Sequence, residues 1–299
     1  MMQKKLKTLW RVLTTPVRLI AWIVLKVAGQ VKAAYLYLHH FLTFEPEESG
    51  LPDTVAKALQ RPLELLPHLD TLRKHLFRAV LFYILTTGFS FAYAAQILTF
   101  LARPLPGGVI SLQVIEVTEP ISVFMRLSLL SGFALALPYI VLELVLFIGE
   151  GLMRRTRLFM VLVMIPVSTL LFISGIAFAY FVMLPVSLPF LLNILNFETK
   201  VRASSYVRFV SGVMFWIGVV FEFPMVIYII ARLGWVKAQT LLKQWRLAIV
   251  LISILAATIT PTIDPVNMSI VMIPLIGLYF LSIGLAFLAQ HNRAPSGQV

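Results

Sequence analysis

The chain has no cysteine, which excludes disulfides, thiolate metal sites and cysteine nucleophiles. Charge is also scarce: only 13% of the 299 residues are Asp, Glu, Lys or Arg, against about 25% in soluble domains. Acids are the scarcer sign, 13 against 25 Lys and Arg, for a net charge of +12. The five histidines are scattered without HxxxH-type spacing, so no metal cage is expected. There is no HExxH, no Walker-type or GxGxxG glycine loop after a strand, and no Ser/His/Asp set within the apolar stretches. An enzyme is therefore not expected, nor a cofactor. What the chain has in excess is apolar surface, 60% hydrophobic residues with a mean hydropathy of +0.92. These residues fall in stretches of about 20, the length that crosses a hydrocarbon core some 30 Å thick. A soluble globular enzyme is excluded, and an all-α polytopic membrane protein is expected.

Residues 1–44 carry Lys4, Lys5, Lys7, Arg11, Arg18, Lys26 and Lys32, with Leu13, Val17, Ile20, Val24, Val27 and Val31 recurring every three or four positions. This pattern predicts a basic amphipathic helix lying on the inner leaflet, with anionic lipid as its partner. Its longest uncharged core, Leu19 to Leu25, has seven residues, too few to span, and no small-residue cleavage site follows. Residues 45–66, broken by Pro46, Gly50 and Pro52, read as a linker. Residues 67–290 form the membrane domain and 291–299 a short tail.

Six spans are predicted. The first runs from about Phe77 to Leu98 and the second from about Ser122 to Ile148. The third follows the cluster Arg154, Arg155 and Arg157, with Pro185 and Pro189 expected to end its helix. The fourth is about Phe209 to Ala231. The fifth and sixth share Leu247 to Gln290, split at Thr260-Pro261-Thr262-Ile263-Asp264-Pro265. Only 17 residues separate Arg246 from Asp264, about 26 Å of helix, so the fifth span is short and a locally thinned bilayer is expected beside it. Placing both termini in the cytoplasm puts 20 of the 25 basic residues on that side, as the positive-inside rule requires. That split also accounts for the high pI without nucleic acid.

Ionisable residues inside a membrane are expensive, about 2.5–3.5 kcal/mol each at a helix centre. Glu222, in Phe221-Glu222-Phe223-Pro224, lies deepest, 13 residues from Phe209, and Pro224 should break the helix beside it. It is a candidate for polar recognition or for a link between helices. Glu119, before Pro120, suits the N-terminus of the second span. Arg126 is placed to snorkel outward, and Asp264 to close a turn between the last two spans.

These residues resemble a known family, the TatC subunit of the twin-arginine protein translocase. The most specific string is Gly175-Ile176-Ala177-Phe178-Ala179-Tyr180-Phe181-Val182-Met183-Leu184-Pro185, similar to the family's third span and second outer loop. His68-Leu69-Asp70-Thr71-Leu72-Arg73-Lys74-His75-Leu76, Ala102-Arg103-Pro104-Leu105, Glu119-Pro120 followed by Arg126, Leu137-Pro138-Tyr139, Phe221-Glu222-Phe223-Pro224 and the segment ending Asp264-Pro265 support it. The resemblance implies a plasma-membrane receptor, bacterial by preference, that binds twin-arginine signal peptides of folded cargo. It also implies assembly with single-span subunits, and homo-oligomers are compatible with it. It further implies a cytoplasmic peptide-binding set of Asp70, Leu72, Arg73, Phe147 and Glu150, a partner-helix contact at Glu222, and outer-face roles for Pro104, Glu119, Pro185 and Asp264.

At two informative acid positions the chain departs from the family pattern. Thr71 stands where the pattern HLxELRxRL has glutamate, and Thr156 aligns with an acid of the loop after span two. A loop with Arg154, Arg155 and Arg157 and no acid among them would repel an arginine pair. Asp70 and Glu150 are the nearby acids that could serve instead. Three readings stay open: a divergent receptor, a paralogue kept as a scaffold without arginine-pair recognition, and a proton-linked solute transporter using Glu222 and Glu143.

Overall fold

The computed structural model describes residues 66–105, 107–149, 158–193, 201–260 and 265–291. The expectations for residues 1–44, most of the linker, Glu150, Thr156, Asp264 and the tail after 291 fall outside the described residues. Because lipid offers the backbone no hydrogen bonds, an apolar chain must satisfy its own amides locally, and the described chain is helical almost throughout.

The helices are α1 (Leu66–Ala92), α2 (Ala94–Leu101), α3 (Glu119–Gly149), α4 (Ile165–Phe178), α5 (Leu184–Asn193), α6 (Ala203–Phe221), α7 (Phe223–Leu233), α8 (Ala238–Lys243), α9 (Trp245–Ile259) and α10 (Pro265–His291). Among the described residues, five stretches are long and apolar enough to cross a membrane: 69–92, 119–149, 160–190, 203–233 and 267–290. The expected fifth span is α9, whose 15 residues make about 22 Å of helix, shorter still than the sequence spacing allowed. α3 has 31 residues, about 46 Å, so it must tilt or project beyond the core.

Three boundaries differ from expectation. The first span begins well before Phe77 and breaks at Tyr93, where the Tyr93 amide turns back to the Ser90 carbonyl at 3.1 Å. The fourth begins at Ala203 rather than near Phe209. The third does not end at Pro185. Helix continues through Pro185 and Pro189 to Asn193, and at Pro185 the reason is a π-turn over Ala179–Met183 that directly precedes α5. Such a turn re-spaces the carbonyls that a proline ring would otherwise strike. A second π-turn, Met160–Met164, opens the same span.

α1 packs along α3, which also meets α6; α4 lies against α6, and α7 and α9 against α10. Glycines set the closest approaches, as expected where no hydrophobic force drives helices together in lipid. A Cβ on Gly132 of α3 would lie 2.6 Å from the Thr87 Cα of α1. One on Gly175 of α4 would lie 2.9 Å from the Gly218 Cα of α6, and one on Gly218 2.8 Å from the Phe172 ring.

The loop end of the bundle holds a feature the sequence did not announce. Leu112–Gln113 (β1) and Val201–Arg202 (β2) pair in parallel, with Leu112 opposite Val201 and Gln113 opposite Arg202. The approach to β1 needs two left-handed residues, met by Gly107 (φ 87°) and Gly108 (φ 61°). Beneath it, Tyr180 and Tyr206 donate to the last carbonyls of α2, Phe100 at 2.8 Å and Leu101 at 2.6 Å. The Phe100 carbonyl also accepts the Arg103 amide at 3.2 Å, whereas the Leu101 carbonyl is one of the helix-end acceptors that need a partner from elsewhere.

Gly132→Ala should destabilise the protein by about 1–3 kcal/mol, since the backbone of α1 has to move. Gly212→Ala, with nothing within 4 Å of the added carbon, should be neutral or stabilising by up to about 1 kcal/mol. Thermal unfolding of both variants in detergent checks this, and equal shifts would refute the close-packing account.

Candidate functional site

Four carboxylates, at three levels of the bundle, organise its polar chemistry. At the basic end, where α1 begins and α3 ends, Asp70 is held by its own helix. Arg73 Nη2 lies 2.8 Å and Lys74 Nζ 2.7 Å from its two oxygens. All three side chains are well exposed, Arg73 at 79%. Such surface pairs hold little energy, so Asp70 is available to exchange partners. Leu72 is exposed, and Arg73, Lys74, Phe77 and Arg78 line a cavity of about 410 Å³ beside it.

Behind this surface lies a buried link that sequence reasoning missed. His75 and Glu143 are each 3% exposed, and His75 Nδ1 meets Glu143 Oε2 at 2.5 Å. Tyr139 donates to the other oxygen at 2.7 Å, and Arg78 Nη1 stands 3.7 Å from it. The His75 ring also packs edge-on to Phe147, with centroids 6.1 Å apart. Of the expected peptide-binding set, the structure therefore joins Asp70 to Arg73 directly and ties Phe147 to α1 through His75. A signal was present in the sequence: Tyr139, Glu143 and Phe147 follow at four-residue spacing, which puts them on one face of a helix.

Near mid-depth, Glu222 sits at the break between α6 and α7, ending one helix and starting the next. The expected interruption at Phe221-Glu222-Phe223-Pro224 is present. Ser168 of α4 donates to Glu222 Oε2 at 2.6 Å, while Oε1 has no hydrogen-bond partner among the described residues.

At the loop end, Glu119 does not cap its own helix. Its Oε2 accepts the amide of Ile115 at 3.0 Å, and its Oε1 accepts the amide of Ser204, in the first turn of α6, at 2.7 Å. Arg202 Nε adds a third partner at 3.2 Å, and Arg202 Nη2 reaches Glu116 at 2.6 Å. The carboxylate thus caps a helix more than eighty residues away, because the β1–β2 pairing delivers that helix start to it. The Arg202 guanidinium is raised further above its already high pKa by the hydrogen bonds to Glu116 and then Glu119. Pro104 is half-buried in the turn after α2, and Pro185 is exposed on α5. Arg126 is half-buried, and its Nε has no hydrogen-bond partner among the described residues.

Five long apolar helices and one short one among the described residues, with a half-satisfied acid and a stapled loop end, define a polytopic membrane protein. Comparison with known proteins agrees. A family model for the Sec-independent protein translocase protein TatC matches residues 67–274. The chain is 30% identical over 238 residues to a Sec-independent protein translocase protein TatC of Koribacter versatilis, covering 77% of this chain and 88% of that one. It is 31% identical over 228 residues to the protein of that name from Carboxydothermus hydrogenoformans, covering 76% and 93%. A crystal structure of the twin arginine translocase receptor TatC aligns with a TM-score of 0.63 at 30% identity, over 75% of this chain and 99% of that one. This chain belongs to the TatC family.

The loop-end staple makes a testable distinction between two neighbouring acids. Glu119→Gln should lower the midpoint of thermal unfolding clearly more than Glu116→Gln, because Glu119 is buried among backbone-amide and guanidinium donors whereas the Glu116 side chain is 61% exposed. Differential scanning fluorimetry in detergent measures it, and the reverse order would overturn the assignment.

Proposed function

We propose that the chain is the membrane-embedded core and receptor of a twin-arginine-type translocase in a bacterial plasma membrane, with both termini in the cytoplasm. It binds signal peptides of folded cargo at the basic end of the bundle and assembles with single-span subunits. The observation that supports this most is the family match across residues 67–274. The distribution of basic residues supports the orientation. The charge on residues 1–44, outside the described residues, makes anionic lipid their partner.

In this reading the peptide lies across Leu72, Arg73 and Phe147, and Asp70 exchanges Arg73 and Lys74 for guanidinium groups of the ligand. A guanidinium fork pairs with a carboxylate through two hydrogen bonds, which an ammonium cannot match. A second reading, the scaffold without arginine-pair recognition, draws on a specific observation: Asp70 already has two cationic partners, and the adjoining cavity is lined by Arg73, Lys74 and Arg78. The transporter reading gains no support. Its two acids have separate partners, His75 and Tyr139 for Glu143 and Ser168 for Glu222.

Binding of a labelled Arg-Arg signal peptide to the protein in nanodiscs, against the Lys-Lys version, separates the two readings. The receptor should favour the arginine peptide at least tenfold, worth about 1.4 kcal/mol. Equal binding, or none, would establish the scaffold reading instead.

Glu222 is proposed as the contact for a polar group on a single-span partner helix, its Oε1 being the open acceptor. Glu222→Gln should leave insertion intact but reduce co-purification of single-span subunits severalfold. Unchanged recovery of those subunits would count against this role.

A further inference from the structure

We infer that His75 and Glu143 form an interhelical clamp that sets the angle between α1 and α3 at the basic end, and that through it His75 acts as a positioning residue for the proposed peptide-binding face. The inference rests on the receptor reading only for its second half; the clamp itself stands on geometry.

α1 and α3 touch backbone to backbone where Thr87 meets Gly132. Thr86 donates to the Gly132 carbonyl at 2.9 Å and Tyr83 to the Leu129 carbonyl at 3.2 Å, so the polar links near the crossing cluster within one turn of helix. α1 packs along α3 over much of its length, and the contact farthest from this close approach has the greatest leverage on the angle between the two helices. His75 lies twelve residues from Thr87, a lever arm of about 18 Å. At that distance Glu143 takes His75 on one oxygen and Tyr139 on the other. Tyr139 is itself packed against Phe82 of α1, with centroids 4.4 Å apart. Arg78 also faces the carboxylate.

The chemistry makes the clamp selective. A carboxylate and an imidazole, both 3% exposed within a membrane bundle, are costly to separate because each would remain buried without its partner. The observed arrangement brings His75 and Arg78 of α1 against Tyr139, Glu143 and Phe147 of α3, so the carboxylate and the imidazole meet within the bundle. The same contact fixes Phe147, through its edge-on packing with His75, beside the turn of α1 that carries Leu72 and Arg73. A hydrophobic pair at these two positions would fill the space but would hold no angle.

That difference supplies the test. Replacing one partner of a buried polar pair destabilises, whereas replacing both with apolar residues often restores stability. The double variant His75→Leu with Glu143→Leu should therefore unfold near the wild-type temperature, yet bind the Arg-Arg peptide in nanodiscs at least tenfold more weakly. Because the chain has no native cysteine, spin labels at Leu69→Cys and Leu144→Cys, both exposed, report the α1–α3 distance directly. The distribution should be narrow in the wild type and broad in the double variant. Glu143→Gln, which keeps an acceptor for His75, should stay narrow. A double variant with wild-type distances, or a broad distribution in Glu143→Gln, would falsify the clamp. If the wild type binds no peptide, the receptor reading fails while the distance measurement still decides the clamp. A broad distribution with unchanged peptide affinity would keep the clamp and remove its positioning role.

Discussion

Lipid accepts and donates no hydrogen bonds, and the rest of this molecule follows from that constraint. Regular helix is the inexpensive answer, and most of the described chain adopts it. Every irregularity then needs its own remedy. The carbonyls ending α2 are met by Tyr180 and Tyr206, and the start of α6 by the Glu119 carboxylate. The prolines of α5 follow a π-turn. At Glu222 the helix breaks and restarts at once, the Glu222 amide reaching back to Val219 and its carbonyl serving Met225 and Val226.

Under the same constraint the three acids become staples. Glu119 joins the loops at one end, Glu143 joins the first two spans at the other, and Glu222 joins α4 to the hinge of the fourth span. They differ in how fully they are satisfied. Glu119 has amide and guanidinium donors on both oxygens, as a rigid structural element should. Glu222 keeps one oxygen unpartnered among the described residues, and the cost of that state favours an incoming donor. Glu143 lies between these cases, saturated but with side chains alone rather than backbone amides.

What was legible in the sequence was whatever repeats along one element. Apolar runs of span length, the break at Pro224 and the shortness of the fifth span all came from local pattern. The family resemblance rested on strings such as Gly175 to Pro185. What stayed hidden depends on partners far apart in the chain. Two dipeptides pairing as β1 and β2 carry no periodicity. Glu119 looked like the cap of the helix it begins, and the helix-start amide it serves is that of Ser204 in α6. His75 stands where the pattern HLxELRxRL has arginine, and only tertiary packing shows it facing Glu143. Pro185 misled for a different reason: the rule that proline ends a helix presumes α geometry in the preceding turn, and that turn is π.

The 15 residues of α9 have an effect outside the protein. A helix of about 22 Å in a core of about 30 Å must be met by lipids that compress, at a cost of fractions of a kcal/mol per ångström. Trp245, with Arg246 over its ring at 5.6 Å, stands at one end of that helix as an anchor for the depressed interface. The deformation has a width set by the elasticity of the lipid rather than by the protein. Two such dimples that overlap cost less than two apart, so the bilayer itself pulls short helices side by side before any side chains touch.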